Sequence, residues 1–183
     1  GEDNRMPIQS SASCTFWINK PGKDPSFIAN RRGINAVEPI AKSHLTTLGE
    51  EISSTVSDTW HPTEFGGLPR RGTTHAIVIA SELTHRLRRN KIHHALFLGD
   101  EQRAFDNQDR ARIAKSLIKH AGDTPAVKRV LQRLNYTVYQ SKTGDLNASA
   151  VITQGSIQGD PIGPLLYALS NHDYATELLT THK

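Results

Sequence analysis

Residues 92–106 read IHHALFLGDEQRAFD and join a short apolar run to an acidic turn. The run 92–99 has the length and composition of a buried strand. It ends directly at Asp100, and a carboxylate at a strand end can reach a divalent cation while the strand fixes its position. The same pattern is also typical of an aspartate that caps or closes a turn. The stretch therefore predicts a strand. Whether Asp100 binds a cation or closes a turn has to be inferred from the rest of the chain.

A second segment, residues 154–166, reads QGSIQGDPIGPLL and leads from a glycine-punctuated loop into an apolar helix. Gly155 and Gly159 allow another backbone or a nucleotide to approach closely. Gln158 offers both a hydrogen-bond donor and an acceptor to a base or a sugar. The alternative interpretation is a plain loop with Pro161 at the start of the helix.

Hydrophobic periodicity predicts helices and short strands around these two segments. Strands are expected at 14–18, near 136–141 and near 148–153, and helices at about 109–121, at 124–134 and from Asp160 onward. A long first helix is indicated by apolar residues at three- and four-residue steps, namely Val37, Ala41, Leu45, Leu48, Ile52 and Val56. A second helical face follows Thr73 or Thr74 as the N-cap and consists of Ile77, Ala80, Leu83, Thr84 and Leu87. This mixture favours the α+β class.

Composition and charge indicate one basic domain. The chain has 183 residues and 36% hydrophobic content, near the upper end of one ordinary domain. Its formal net charge of +4 and pI near 9.3 favour polyanionic partners. The single Cys14 excludes an internal disulfide, and no apolar run reaches the about 18 residues of a membrane span. Residues 1–13 are expected to be poorly ordered, and the lack of a signal pattern there favours an intracellular protein.

Taken in this order, residues 100–106 and 154–166 resemble motifs A and B of reverse transcriptases of the non-LTR retrotransposon type. Three upstream segments are similar to the fingers of that family: the lysine-bearing loop 20–25, the arginine segment 32–34 with Lys42 behind it, and the stretch 65–74. The resemblance covers about residues 16–169. It implies a right-hand polymerase with fingers at 14–91 and part of the palm at 92–183. Its helices would pack on a small, mainly antiparallel palm sheet.

The resemblance also implies roles for the residues of motif A. Asp100 would be the catalytic, metal-binding carboxylate of a two-metal Mg²⁺ site, in which the cations hold the attacking 3′ oxygen and the leaving pyrophosphate. Phe105 would close the space beside the ribose 2′-hydroxyl and so select deoxyribonucleotides. The alternative for Phe105 is a core aromatic behind the strand. Asp106 and Asp160 are expected to tie down loops.

Other residues would bind the substrates implied by the family, which are an RNA template, a DNA primer and dNTPs. Arg32, with Lys20 or Lys23, would contact the triphosphate, for which a guanidinium fork and an ammonium are both suited. Gln158 and Gly159 would line the nucleotide and template-primer pocket. The alternative for the cations is solvated surface charge.

The sequence departs from the family after motif B. No two aspartates are adjacent anywhere in the chain. The motif C hairpin, whose Asp-Asp pair completes the metal site, is therefore missing, and so is the thumb. The resemblance predicts RNA-directed DNA polymerase activity, a nucleotidyl transfer, for a complete protein and none for this chain alone. Such a protein would act in the nucleus if its host is eukaryotic.

Two other functions stay open. The first is a non-catalytic nucleic-acid-binding domain derived from a reverse transcriptase, which keeps the basic surface and loses the metal chemistry. The second is a metal-dependent hydrolase that uses Asp100, Asp106 and Asp109, and it would cleave nucleic acid without extending a primer.

Overall fold

The computed structural model describes residues 8–143 and 146–181. Within these ranges the chain combines one β-sheet with five α-helices, in agreement with the predicted α+β class. The helices are α1 (Pro39–Thr55), α2 (Thr73–Arg89), α3 (Arg110–Ala121), α4 (Pro125–Asn135) and α5 (Gly163–Thr181). The strands are β1 (Ala12–Asn19), β2 (Arg31–Val37), β3 (Val138–Thr143) and β4 (Leu146–Val151). All but one of the predicted strands and helices are therefore present, close to the expected bounds.

The four strands form one mixed sheet in the order β2-β1-β3-β4. The β1–β2 and β3–β4 pairs are antiparallel, whereas β1 and β3 run parallel. The sheet thus joins strands from the predicted fingers, 14–91, to strands from the predicted palm, 92–183. A separate palm sheet, as the resemblance implied, is not formed by the described residues.

The hydrophobic core lies among the helices. The predicted inner face of α1 is confirmed, since Ala41, Leu45, Leu48 and Ile52 are buried. Helix α1 packs against α4 and α3, and α3 packs against α5. Among the strand residues whose side chains the structure describes, only Val37 joins this core cluster. The described helices therefore pack mainly on one another.

The inner face of the sheet explains this arrangement. Strands β1 and β2 turn Ser13, Thr15 and Asn35 toward the interior, and all three are buried. A polar face offers little apolar area to a helix, so the helices bury their apolar faces against one another. Of the same polar residues, Asn35 donates hydrogen bonds to the carbonyl of Gln158 in loop 154–160.

The start of the chain also differs from the expectation. Residues 1–7 of the predicted poorly ordered segment lie outside the described residues. Residues Ile8–Ser11 form a short 3-10 helix, and β1 already begins at Ala12. Ser10 and Ser11 are buried. Ala12 and Ser13 pair within the sheet, Ala12 with Val138 of β3 and Ser13 with Val37 of β2.

The predicted strand 92–99 is not formed. These residues have no regular secondary structure and are exposed, with Phe97 94% and Leu98 88% accessible to solvent. A strand needs a partner for its backbone N–H and C=O groups. Among the described residues no strand pairs with this segment. The local sequence pattern predicted a strand but carried no information about its neighbour.

Helix α2, which precedes that segment, is present but buries none of its residues. It begins at Thr73 with Gly72 at the N-cap, so neither predicted threonine cap is correct. The ring of His75 accepts a hydrogen bond from the backbone N–H of Gly72 at 3.2 Å. Arg86, Arg88 and Arg89 lie in its last turn, where positive charge is favourable. No helix in the described part of the chain combines the length and the apolar character that a membrane span requires.

Candidate functional site

A cleft of about 860 Å³ brings together most of the predicted site residues. Lys20, Arg32, Asp100, Phe105 and Gln158 all line it, although they come from separate parts of the sequence. The β1–β2 hairpin forms one wall, and segment 100–106 forms the other. The cleft therefore sets cationic side chains opposite carboxylates.

The β1–β2 hairpin fixes the cationic wall. The backbone N–H of Lys20 donates to the carbonyl of Asn30 at 2.9 Å and closes the hairpin. The Lys20 ammonium donates to the carbonyl of Ala29, also at 2.9 Å, which leaves its other protons for a ligand. Arg32 lies opposite Ile18 in the strand register and is exposed. Lys20 and Arg32 are thus placed where an anion in the cleft can reach them.

Lys23 does not line the cleft. It lies in the exposed turn of the hairpin, next to Asp24. The side chain of Asp24 accepts hydrogen bonds from the hydroxyl and the backbone N–H of Ser26, and these bonds lower the pKa of that carboxyl. Of the two lysines that the sequence offered, Lys20 is therefore the one that the structure places at the cleft.

Asp100 is exposed and is not held by a strand, contrary to the sequence prediction. Its position depends instead on the next residue, because the phenol of Tyr167 on α5 donates to the carboxylate of Glu101 at 2.7 Å. Burial raises the pKa of Tyr167, and the bond to Glu101 raises it further. The phenol therefore stays protonated at neutral pH and can keep donating. Tyr167 was not identified from the sequence, since it lies in an otherwise apolar helix.

Phe105 is half-buried at the base of the acidic wall. Its ring lies 5.2 Å from the ring of Tyr167, centroid to centroid, and its carbonyl accepts a hydrogen bond from the N–H of Ser156 at 2.9 Å. Phe105 also lines a second cavity of about 320 Å³, together with Gln158 and Gly159. Phe105 thus packs against Tyr167 of α5 and also lines both the main cleft and the smaller cavity. Gly159 belongs to the smaller cavity and not to the main cleft.

Both glycines of the loop 154–160 are required by close backbone contacts. Gly155 has φ 78°, and a Cβ there would lie 2.6 Å from the carbonyl oxygen of Phe105. Gly159 has φ 101°, and a Cβ there would lie 2.4 Å from the carbonyl oxygen of Asn35. The prediction that another part of the protein backbone approaches these two glycines closely is therefore confirmed.

Asn35 attaches this loop to the sheet. Its backbone N–H and its side-chain amide both donate to the carbonyl of Gln158 at 3.0 Å. The hydroxyl of Thr15 donates to the side-chain oxygen of Asn35 at 2.6 Å and orients the amide. The polar strand face thus holds the backbone of Gln158 and leaves its side chain on the cleft wall. Of the two polar residues, Thr15 lay in the predicted strand 14–18, whereas no strand was predicted around Asn35, so no direct sequence signal indicated this contact.

Asp160 is held from the helical side. It forms an ion pair with Arg133 of α4 at 2.9 Å, with 4% and 2% of the two side chains exposed. The carboxylate also accepts a hydrogen bond from the backbone N–H of Ile162 at 3.2 Å. The prediction that Asp160 ties down a loop is therefore confirmed. Loop 154–160 is fixed on three sides, by Asn35, by the carbonyl of Phe105 and by Arg133.

Three carboxylate side chains lie at the cleft. Asp100, Glu101 and Asp106 line the cleft, but no group of three potential ligands in the described part of the chain is arranged to hold a metal ion. Asp109 caps helix α3 by accepting from the N–H of Ala111 at 2.9 Å. A three-aspartate hydrolase site made of Asp100, Asp106 and Asp109 therefore has no support in the geometry.

Comparison with known proteins assigns no family, because no family description matches the chain and no curated protein is significantly similar to it.

Proposed function

We propose that this chain is the fingers and the first part of the palm of a non-LTR retrotransposon reverse transcriptase. In the complete protein it would take part in RNA-directed DNA synthesis. The observation that supports the proposal most strongly is the shared cleft of Lys20, Arg32, Asp100, Phe105 and Gln158. Motif resemblance alone selected these residues, and their positions in the sequence did not require them to meet.

The charges of the cleft suit a nucleoside triphosphate. The hairpin wall carries Lys20, Arg31 and Arg32, and the opposite wall carries three carboxylates and one guanidinium, those of Asp100, Glu101, Asp106 and Arg103. Cations attract the phosphates, and an arginine can hold two phosphate oxygens at once. A carboxylate opposite the phosphates suits a bridging cation that the substrate itself would bring as its magnesium complex. The cationic wall would thus bind the phosphates, and the acidic wall would bind the magnesium ion that accompanies them.

Phe105 and Gln158 would contact the sugar and the base. A half-buried aromatic ring that is fixed by Tyr167 leaves little room for an added hydroxyl and offers it no hydrogen-bond partner. This arrangement favours a deoxyribose over a ribose. The side chain of Gln158 can donate to and accept from an adjacent base or sugar, and its backbone is fixed by Asn35.

The proposal also gives the exposed segment 92–99 a partner. A motif C hairpin that shares metal ions with Asp100 has to bring its carboxylates within a few ångströms of it, since paired cations lie about 3.5–4 Å apart. Neighbouring strands lie about 4.8 Å apart, which satisfies that requirement. Such a hairpin would run beside residues 92–99, complete their backbone hydrogen bonds and cover Leu96 and Leu98. The proposed enzyme therefore needs a strand at the place where this chain exposes an apolar segment.

The second candidate function is a nucleic-acid-binding domain without catalysis. Two observations favour it: Asp100 is exposed, and the described residues hold no three-ligand group. The two functions differ in what the cleft binds. The polymerase requires a nucleoside triphosphate in the cleft, whereas the binding domain requires only contacts to a nucleic-acid backbone.

Binding of dATP in the presence of Mg²⁺, measured by isothermal titration calorimetry, tests the proposal on this chain. Arg32→Ala is expected to weaken binding about tenfold or more, since a hydrogen bond to a charged group contributes about 1.5–3 kcal/mol. Arg88→Ala is the matched control, because Arg88 is an exposed arginine on α2 outside the cleft. Equal weakening by both substitutions, or no measurable dATP binding, would contradict the nucleotide cleft and favour the binding domain.

A further inference from the structure

Trp17 lies across the exposed end of the sheet. Its indole N–H donates to the hydroxyl of Ser141 on β3 at 3.3 Å. On the other side of β1, a Cβ added to Gly33 of β2 would lie 3.3 Å from the six-membered ring of Trp17. The indole thus spans from β3 to β2, over Gly33, which is its partner in the strand register. It remains 43% exposed.

A groove of about 570 Å³ lies over this part of the sheet. Its floor is formed by Trp17 and by small residues that include Gly33, Ser141 and Ala148. Small side chains around one large ring leave open space above the indole. The volume falls in the range of about 300–1,000 Å³ that is typical of small-ligand sites.

The groove is nearly free of charge. Asp106 is the only charged group among the described residues that line it. Tyr139 also lines the groove, and its pKa is raised by burial first and by Asp106 next, so the phenol is neutral near pH 7. In contrast, the adjoining cleft is lined by Lys20, Arg31 and Arg32. A phosphate is therefore favoured in the cleft, and a neutral planar group is favoured in the groove.

The two spaces are continuous. Trp17, Gly33 and Asp106 line both the groove and the cleft. A ligand in the groove would thus lie directly beside a nucleotide in the cleft. A ligand of the groove therefore has to be neutral and planar. It has to bind without being fully enclosed, and it has to occur next to a nucleotide.

We propose that the groove binds an unpaired base of a single-stranded nucleic acid, stacked on the indole of Trp17. This site rests on the proposed function, since it places a template base next to the incoming nucleotide. Every base has a π-face, so stacking on an aromatic side chain gives affinity with little sequence preference. The strand backbone would leave the groove toward the cationic wall of the hairpin.

Binding of a fluorescein-labelled single-stranded oligouridylate, followed by anisotropy at physiological ionic strength, tests the platform. Trp17→Ala is expected to weaken binding about tenfold, as is typical for loss of one stacked base, whereas Trp17→Phe should retain most of the affinity. Phe16→Ala is the matched control. Phe16 precedes Trp17 on β1, is 56% exposed and points to the opposite face of the sheet, so its loss should not change the affinity. Circular dichroism of each variant checks that the fold is kept.

Intrinsic fluorescence provides a second measurement on the unmodified chain. The protein has two tryptophans, and the other one, Trp60, is only 9% exposed. Saturable quenching by the unlabelled single strand is expected, with much weaker quenching by the same length of duplex, whose bases are paired. Quenching by the duplex to the same extent would overturn the platform.

The result can be separated from the test of the proposed function. If Trp17→Ala and Phe16→Ala bind the single strand equally well, the platform is wrong even if dATP binds in the cleft. If binding depends on Trp17 while dATP does not bind, the platform stands and the polymerase proposal fails.

Discussion

Gly159 holds loop 154–160 directly against strand β2. Its φ of 101° lies in a region that residues with a Cβ rarely adopt, and a Cβ there would lie only 2.4 Å from the carbonyl oxygen of Asn35. The residue was selected from sequence as part of a nucleotide pocket. The structure shows that backbone packing alone already requires a glycine at this position.

Gly159→Ala is expected to lower the free energy of unfolding by about 2 kcal/mol or more, because it adds backbone strain to a steric clash. Gly66→Ala is the control, since a Cβ at Gly66 would meet nothing within 4 Å and its φ is not in the left-handed region. It should change stability by less than about 0.5 kcal/mol. Urea unfolding of both variants measures the difference, and equal stabilities would contradict the described contact.

Asp173 connects helices α3 and α5. It accepts hydrogen bonds from the hydroxyl of Ser116 at 2.8 Å, from the ammonium of Lys119 at 2.5 Å and from the ring of His120 at 3.0 Å. Burial by itself would raise the pKa of Asp173, but these donors outweigh it and hold the pKa well below its usual value. The ionised carboxylate therefore stabilises the contact between the two helices.

The depressed pKa of Asp173 sets the direction of a pH dependence. A carboxyl whose pKa is lower in the folded state contributes stability above its unfolded pKa of about 3.9, and this contribution is lost as the pH falls below that value. Asp173→Asn should therefore have a lower free energy of unfolding than the unchanged chain at pH 7, and this difference should become smaller below about pH 4. Urea unfolding of both proteins over a pH series measures the difference. Asp123→Asn, which removes an exposed pair with Lys128, should cost about 0–1 kcal/mol at neutral pH. A gap for Asp173→Asn that stays constant down to low pH would show that the carboxylate is not held in this way.

The helices whose sequences carry a local pattern, such as helical spacing of apolar residues, were predicted correctly. Helix α1 was visible because its apolar residues repeat at helical spacing, and α3 and α4 were visible because Asp109 and Thr124 precede similar patterns and do act as N-caps. Segment 92–99 was predicted wrongly, because strand formation depends on a partner elsewhere in the fold. The attachments of the candidate site, through Asn35, Arg133 and Tyr167, were not predicted for the same reason: each joins residues that are distant in sequence.

Segment 92–99 gives a direct test at the level of one element. Phe97 is 94% exposed, so Phe97→Asp should change the free energy of unfolding by less than about 0.5 kcal/mol. If the segment were the buried strand that the sequence pattern suggests, the same substitution would place a charge in the interior and cost several kcal/mol. Leu45→Ala in the core of α1 is the reference, with an expected loss of about 2–5 kcal/mol. A comparable loss for Phe97→Asp in urea unfolding would show that this segment is buried.

At the scale of the whole molecule, the two walls of the cleft differ in how many contacts hold them. The hairpin wall and loop 154–160 are fixed by strand pairing, by Asn35 and by the Arg133–Asp160 ion pair. The acidic wall follows an unpaired segment and is attached through Glu101 to Tyr167 and through the carbonyl of Phe105 to Ser156. This asymmetry agrees with the proposal that a further strand with two carboxylates completes the site. It also explains why we expect no polymerisation by this chain alone.

The central claim is that Asp100 belongs to the metal site of a polymerase. Its most direct test is magnesium-dependent primer extension on an RNA template by the complete protein, with Asp100→Asn compared against Asp123→Asn, an exposed aspartate outside the cleft. We predict that Asp100→Asn abolishes extension while Asp123→Asn extends primers at the rate of the unchanged protein. Extension that is unaffected by Asp100→Asn would contradict the account.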